Sequence, residues 1–217
     1  MTVNIPAAIA DVNAQWLAEA TGLDIKSIAI EQIGVGIGVS SAVYRIKLEG
    51  NNCPASVVVK LPALDKAAVF TSSILRMYIR EVEFFKTLAK DCPFKVPDSY
   101  YGDVNKETSQ FAIVIEDLGK MRIVDQNIGM TIEDARVAVD SLAHFHAKWW
   151  GSGDALSEAG TTVSLGDPIY PAILPMVFAE GWEKVTTQMT VPQAIIQVGT
   201  KWIAALPGLL QDRKSVV

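Results

Sequence analysis

Cysteine and histidine are scarce in this sequence, and neither residue type is spaced as a metal site requires. The 217 residues include two cysteines, Cys53 and Cys92, and two histidines, His144 and His146. The cysteines form no CxxC pair, and so low a cysteine content favours a reducing compartment over a disulfide-linked secreted protein. Two histidines two positions apart on a helix point about 200° away from each other, so they cannot share a metal ion.

Long apolar runs and an excess of positive charge are also lacking. No stretch reaches 18 apolar residues, and the most apolar one, residues 191–210, is interrupted by Lys201 and two prolines. The start of the sequence has no basic region, and Asp11 breaks its apolar stretch, which argues against a signal peptide. The formal net charge is -5, whereas nucleic-acid-binding domains are typically basic. We therefore expect a cytoplasmic protein that binds neither a membrane nor nucleic acid.

What the sequence does contain is enough apolar residues for a core. Half of the residues are hydrophobic and a fifth are charged, which excludes a disordered chain. The hydrophobic periodicity predicts alternating elements: a helix at 4–20, strands at 25–33, 42–48 and 56–61, a helix at 66–90, strands at 99–104 and 111–116, and a helix at 131–150. This order predicts an α+β fold, in which a five-stranded, mostly antiparallel sheet with one embedded helix precedes a helical region.

A glycine hairpin, residues 34–41, connects the first two predicted strands. It contains Gly34, Gly36, Gly38, Ser40 and Ser41. A dinucleotide-binding fingerprint needs a helix directly after the glycines, and a P-loop needs Gly-Lys-Ser/Thr, so neither motif is present. A strand–loop–strand hairpin of this kind lets backbone N–H groups and hydroxyls approach phosphate oxygens. The same glycines are equally typical of a hairpin that binds nothing.

A lysine and a glutamate form the second candidate feature. Lys60 ends the apolar strand that contains residues 57–59, where a charged group needs a partner. In the long helix, Glu81 falls on the apolar face together with Tyr78, and Glu83 falls on the solvated face. We expect Glu81 to pair with Lys60, which is the arrangement that holds a lysine against the α- and β-phosphates in kinases. The alternative is an ion pair with a structural role only.

Taken in order, these features resemble a known enzyme family. The glycine hairpin, Lys60, Glu81, the connector Glu116-Asp117-Leu118-Gly119 and the helix at 142–150 resemble the aminoglycoside phosphotransferase-like kinases. Within that family, the ecdysteroid-kinase-like and choline-kinase-like small-molecule kinases are the most similar. The resemblance covers about residues 10–150 and depends on the order and spacing of the motifs, since no single motif is specific.

The resemblance implies a protein-kinase-like fold that binds ATP between two lobes and transfers the γ-phosphate to a hydroxyl group of a small molecule. It divides the chain into an N-lobe (1–118), an interlobe segment (119–130) and a partial helical C-lobe (131–217). Lys60 would hold the α- and β-phosphates, Glu81 would orient Lys60, and the backbone of Glu116 and Leu118 would meet adenine. The residues that would cover the phosphates are Gly34, Gly36, Gly38, Ser40 and Ser41.

The sequence departs from the family in its last third. A His-Gly-Asp-x-x-x-x-Asn loop would supply the catalytic aspartate and a Mg²⁺ ligand, but no histidine follows His146 and no asparagine follows Asn127. Asp167 follows Leu165-Gly166 instead, and the metal-ligand position five residues later is Ala172, so we expect a turn there. We therefore assign no catalytic and no metal-binding residue, and expect the chain to be part of a longer protein and inactive alone.

Two further expectations follow from this departure. The partial C-lobe should expose apolar side chains and favour self-association; those residues are Ile173, Leu174, Val177, Phe178 and Trp182. Two other functions stay open beside the kinase portion. One is a non-catalytic nucleotide-binding pseudokinase or interaction module, and the other is an unrelated α+β binding domain.

Overall fold

The computed structural model describes residues 3–35, 40–125, 128–163 and 167–211. The chain divides into two compact units, residues 1–162 and 163–217. The first unit contains the strands β1 (Asp24–Ile33), β2 (Ser41–Asn51), β3 (Ser56–Pro62), β4 (Ser99–Val104) and β5 (Phe111–Glu116), and the helices α1 (Ala14–Thr21), α2 (Lys66–Ile74), α3 (Met77–Glu83), α4 (Ile132–Trp149) and α5 (Gly153–Glu158). The second contains α6 (Ile169–Gln188) and α7 (Gln193–Gln211).

The five strands form one sheet in the order β1-β2-β3-β5-β4, and every neighbouring pair is antiparallel. This confirms the predicted α+β class and the predicted five-stranded sheet. β4 and β5 have the predicted bounds, while β2 continues three residues further than predicted, to Asn51. The predicted lobe boundaries at residues 118 and 130 stay a prediction.

One face of the sheet packs on α1. Because successive side chains of a strand point to opposite faces, alternate residues of β2, β3 and β5 contribute to this core. Trp16 and Leu17 of α1 cover them, and the Trp16 indole N–H donates to the carbonyl of Asn4 at 2.8 Å. The buried strand residues are Ala42, Tyr44, Ile46, Leu48, Val57, Val59, Leu61, Ala112 and Val114.

The other face packs on α3, where Tyr78 and Val82 meet Phe111 and Ile113 of β5. The Tyr78 and Phe111 rings stack with their centroids 4.2 Å apart and 15° between their planes. This second core fixes α3 against β4 and β5. The helix that carries Glu81 is therefore held on the sheet by apolar contacts that do not involve the glutamate.

The predicted continuous helix at 66–90 is wrong in one respect, because it is broken after Ile74. Arg76 adopts a left-handed conformation (φ +53°) at the start of α3. The preceding Thr71, Ser72 and Ser73 are weak helix formers, and the Ser73 hydroxyl donates back to the carbonyl of Val69 at 2.8 Å, which favours bending. After α3 the chain continues through a π-helical turn, Phe84–Leu88, and a 3-10 turn, Ala89–Asp91.

The first predicted helix, 4–20, is shorter than expected, since α1 begins only at Ala14. The Asn13 side chain accepts a hydrogen bond from the Trp16 N–H at 2.9 Å and caps the helix there. The predicted start of the later helix is confirmed: Thr131 caps α4, and its hydroxyl accepts the Asp134 N–H at 3.1 Å. None of the helices in the described ranges is long and apolar enough to cross a membrane.

In the second unit, α6 and α7 pack against each other. The rings of Phe178 and Trp202 meet edge to face at 5.2 Å. Trp182 lies against Gly199, where a side chain would collide with the indole. Of the five side chains predicted to be exposed, Val177 and Phe178 are exposed, whereas Ile173, Leu174 and Trp182 are half-buried. The expected self-association stays a prediction.

Candidate functional site

Lys60 lies near the end of the central strand β3, opposite Val43 of β2 and Ile113 of β5. Strand alternation sends Val57, Val59 and Leu61 into the α1 core, so Lys60 projects from the opposite face, on the side of α3. Val58 shares this face with it.

The structure brings Lys60 and Glu81 together, as the sequence pattern predicts. The Lys60 Nζ atom forms an ion pair with the Glu81 Oε1 atom. The two side chains are 22% and 28% exposed, so the pair is half-buried and a ligand from solvent can reach it. In contrast to Tyr78 and Val82, which are buried, Glu81 therefore lies at the edge of the apolar stripe of α3. The predicted solvated position of Glu83 is wrong, because its side chain is only 17% exposed and its carboxylate lies 3.9 Å from the Lys106 Nζ atom.

The described part of the glycine hairpin has two features that concern ligand binding. Gly34 has φ +67°, a left-handed backbone that favours glycine, although an added Cβ would meet no atom within 4 Å. The Ser41 Oγ atom is buried without a hydrogen-bond partner among the residues that the structure describes, which is uncommon for a buried hydroxyl. Gly36 and Gly38 lie outside the described residues.

The backbone of the connector is partly engaged. The Glu116 N–H donates to the carbonyl of Asp98 at 2.8 Å, and the Leu118 carbonyl accepts the Met121 N–H at 2.8 Å. The N–H and C=O of a strand residue point to the same side, so the Glu116 carbonyl is directed away from β3. The Glu116 carboxylate is held by Lys95 at 3.4 Å and by the Asp98 N–H at 3.3 Å.

Asp117, which sequence reasoning did not select, is the centre of a polar network that we call the connector clamp (Arg45, Ser56, Asp117 and Gly119). Arg45 Nε and Nη2 donate to the two carboxylate oxygens at 2.8 and 3.3 Å. The Ser56 hydroxyl donates at 2.6 Å and the Gly119 N–H at 2.9 Å. A Cβ at residue 119 would collide with the Arg45 guanidinium. The clamp therefore fixes the connector to β2 and β3, and a side chain at residue 119 would displace the Arg45 guanidinium.

The clamp also determines the charge of its carboxylate. The hydrogen bond from Arg45 lowers the pKa of Asp117 to about 2, burial opposes this, and the hydrogen bonds from Ser56 and Gly119 assist it. Asp117 is therefore ionised at neutral pH. The sequence contains one signal for the clamp, which is a charged residue inside a strand. Arg45 interrupts the alternating strand β2 on the face that also carries Lys60, so it needs an acidic partner there.

We expect Asp117→Asn to lower the free energy of unfolding by about 1.5–3 kcal/mol at pH 7, the usual value for hydrogen bonds to charged groups. A lowered pKa contributes stability above the ordinary value near 4, and this contribution is lost as the pH falls toward 2. The difference between wild type and variant should therefore be constant from pH 7 to 5 and shrink below pH 4. Urea unfolding across this range measures it, with Asp91→Asn at an exposed position as the control. A difference that grows below pH 4 would contradict the assignment.

Carboxylates do not gather into a metal site in the part of the chain that the structure describes. No group of three or more His, Cys, Asp or Glu side chains there could hold a metal ion. Asp167 has the role expected of a turn residue, since its Oδ1 atom accepts the Ile169 N–H at 3.0 Å at the start of α6.

Sequence reasoning also missed the hydroxyl of Tyr78, which it assigned to the apolar face of its helix. That hydroxyl donates to the Ser40 carbonyl at 2.6 Å. The spacing of three residues between Tyr78 and Glu81 could have placed Tyr78 beside the candidate site, since residues at this spacing share a helix face.

Comparisons of the chain with family models, with curated proteins and with solved structures gave no match.

Proposed function

We propose that this chain is the nucleotide-binding portion of an ATP-dependent kinase that phosphorylates a hydroxyl group of a small molecule. The observation that carries the proposal is the half-buried Lys60–Glu81 pair on the sheet face between the glycine hairpin and the connector. A solvent-accessible lysine held by a carboxylate at the centre of a sheet is suited to binding an anionic ligand.

The strand register supports a linear ligand on this face. Glu116 pairs with Val57, three residues from Lys60 along β3, and Ser41 pairs with Pro62, two residues away in the other direction. At about 3.3 Å per residue, the connector and the hairpin lie about 10 and 7 Å from Lys60 along the strand. A nucleoside triphosphate fits this spacing, because its base and its phosphates lie at opposite ends of the molecule.

Each group then has a role that its surroundings support. Lys60 donates to phosphate oxygens, and Glu81 holds it in place. The Ser41 hydroxyl, which has no hydrogen-bond partner among the described residues, would donate to the same anion. The Glu116 carbonyl and the Leu118 N–H would meet the adenine edge, because the Glu116 N–H and the Leu118 carbonyl are already engaged.

The 217 residues contain no His-Gly-Asp-x-x-x-x-Asn segment, so we expect nucleotide binding without phosphoryl transfer from this chain. A non-catalytic nucleotide-binding module is the second candidate function, and the same missing segment favours it. Sequencing the gene through and beyond codon 217 distinguishes the two. A downstream segment of this type supports the kinase, and its absence supports the module.

Protection of Lys60 from acylation tests nucleotide binding. We expect ATP to slow the acylation of Lys60, measured by peptide mass spectrometry, and to leave the exposed Lys47 of the same sheet unchanged. Equal acylation of Lys60 with and without ATP would instead support an unrelated α+β domain with a structural ion pair.

A coupled ADP-release assay with a panel of hydroxylated small molecules tests the expected lack of phosphoryl transfer. Turnover above about 1 s⁻¹, ordinary for kinases, would contradict the expected lack of activity.

A further inference from the structure

The Tyr78 hydroxyl connects three parts of the candidate site. Tyr78 is only 1% exposed. Its hydroxyl donates to the carbonyl of Ser40, at the end of the glycine hairpin, at 2.6 Å. The same oxygen accepts the N–H of Ala63, directly after β3, at 3.3 Å. One side chain of α3 thus holds both the end of the hairpin and the end of the lysine strand.

Glu81 lies three residues further along α3 and contacts the same strand. It pairs with Lys60, three residues before Ala63. Since residues three apart share one helix face, Tyr78 and Glu81 attach α3 to β3 at two points. The orientation of Tyr78 is set by its stack on Phe111, at 4.2 Å. The hairpin, Lys60 and Glu81 are therefore all positioned through α3.

A buried tyrosine does not require such partners in this protein. The hydroxyl of Tyr101 is also buried, and it has no hydrogen-bond partner in the described ranges. Burial is the main cause that raises the pKa of Tyr101 to about 12. Tyr101 packs edge to face on Trp16 in the α1 core, with centroids 5.4 Å apart. Replacing either tyrosine with phenylalanine therefore removes a buried hydroxyl. Only the Tyr78 hydroxyl is hydrogen-bonded to residues of the candidate site.

We infer that Tyr78 is a positioning residue that holds the end of the glycine hairpin in register with the Lys60–Glu81 pair. The inference rests on the proposed function, because it assigns the hairpin to the phosphates of a nucleotide. Loss of the hydroxyl should release Ser40 and weaken the binding of the phosphates. It should not weaken the binding of the nucleoside, which would lie at the connector.

The experiment compares Tyr78→Phe with the matched control Tyr101→Phe in the full chain. The first measurement is hydrogen exchange without nucleotide. We expect at least threefold faster exchange in Tyr78→Phe for peptides containing residues 40–44 and Ala63, and no change there in Tyr101→Phe. The second is the affinity for ATP and for adenosine by calorimetry. We expect Tyr78→Phe to weaken ATP binding about three- to tenfold, the equivalent of one hydrogen bond. Adenosine binding should weaken less than twofold.

The two measurements distinguish the possible failures. Unchanged exchange at residues 40–44 in Tyr78→Phe would overturn the inference whatever the nucleotide result. Equal weakening of ATP and adenosine would also overturn it, because a merely structural tyrosine acts on both ligands alike. If the wild type binds neither ligand, the proposed function fails, and the exchange data alone decide whether Tyr78 positions the hairpin.

Discussion

Replacing Lys60 with methionine is expected to weaken ATP binding about 10- to 100-fold and to leave adenosine binding within twofold of the wild type. A hydrogen bond between charged groups contributes about 1.5–3 kcal/mol, and about 1.4 kcal/mol corresponds to a tenfold change in affinity. Methionine keeps most of the length and apolar volume of the lysine. The change therefore removes the charge next to Glu81 and little of the packing of β3.

The control for this variant is Lys47→Met on the same sheet. Lys47 lies on the neighbouring strand β2 at an exposed position, so the change in net charge is the same and the location differs. We also expect Glu81→Gln to weaken ATP binding less than Lys60→Met does, because the Lys60 ammonium group remains and only its orientation is lost. Calorimetric titration of the three variants measures these affinities, and thermal unfolding checks that each is folded. Equal losses for Lys47→Met and Lys60→Met would show a general charge effect and contradict the site.

The second large effect concerns the core beneath the site. We expect Phe111→Ala to lower the free energy of unfolding by about 3–5 kcal/mol, the usual cost of removing a fully buried phenylalanine. The Phe111 side chain is completely buried and stacks on Tyr78. The loss includes the transfer free energy of the ring and the cavity that remains. It would also free α3, so hydrogen exchange in α3 should rise more than in α1, which packs on the other face.

Phe70→Ala provides the matched control for this loss. Phe70 lies on α2 and is 66% exposed, so its removal should change the free energy of unfolding by less than about 0.5 kcal/mol. Urea unfolding of both variants at pH 7 measures the difference. If the two variants lose similar stability, the core formed by α3 and β5 contributes less than its burial indicates.

Local patterns in the sequence predicted the elements whose boundaries depend on near neighbours. The predicted bounds of β4 and β5 are confirmed because a polar turn separates the two strands, in which the Asn105 side chain accepts the N–H groups of Glu107 and Thr108. The start of α4 was predictable because the Thr131 cap lies within four residues of its partner. The pairing of Lys60 with Glu81 was predictable because each charge borders apolar residues, where it needs a partner.

The sequence alone could not place the break in the long helix, since its periodicity continues through Arg76. The left-handed residue there is offset by the packing of Tyr78 and Val82 on the sheet, a contact with residues about 30 positions away. The apolar pattern classified Tyr78 correctly as buried and gave no information on its hydroxyl. Whether a hydroxyl finds a partner depends on atoms from distant segments, which only the packed structure brings within reach.

The amino-acid sequence by itself determined the α+β class, the five strands and the face on which Lys60 and Glu81 meet. These follow from the periods of strands and helices and from the cost of burying an unpaired charge. The tertiary structure alone decided the strand order, the connector clamp between Arg45 and Asp117, and the contact of Tyr78 with Ser40. These join residues 38 to 72 positions apart, and no local pattern encodes which distant polar groups will become neighbours when the sheet closes on its helices.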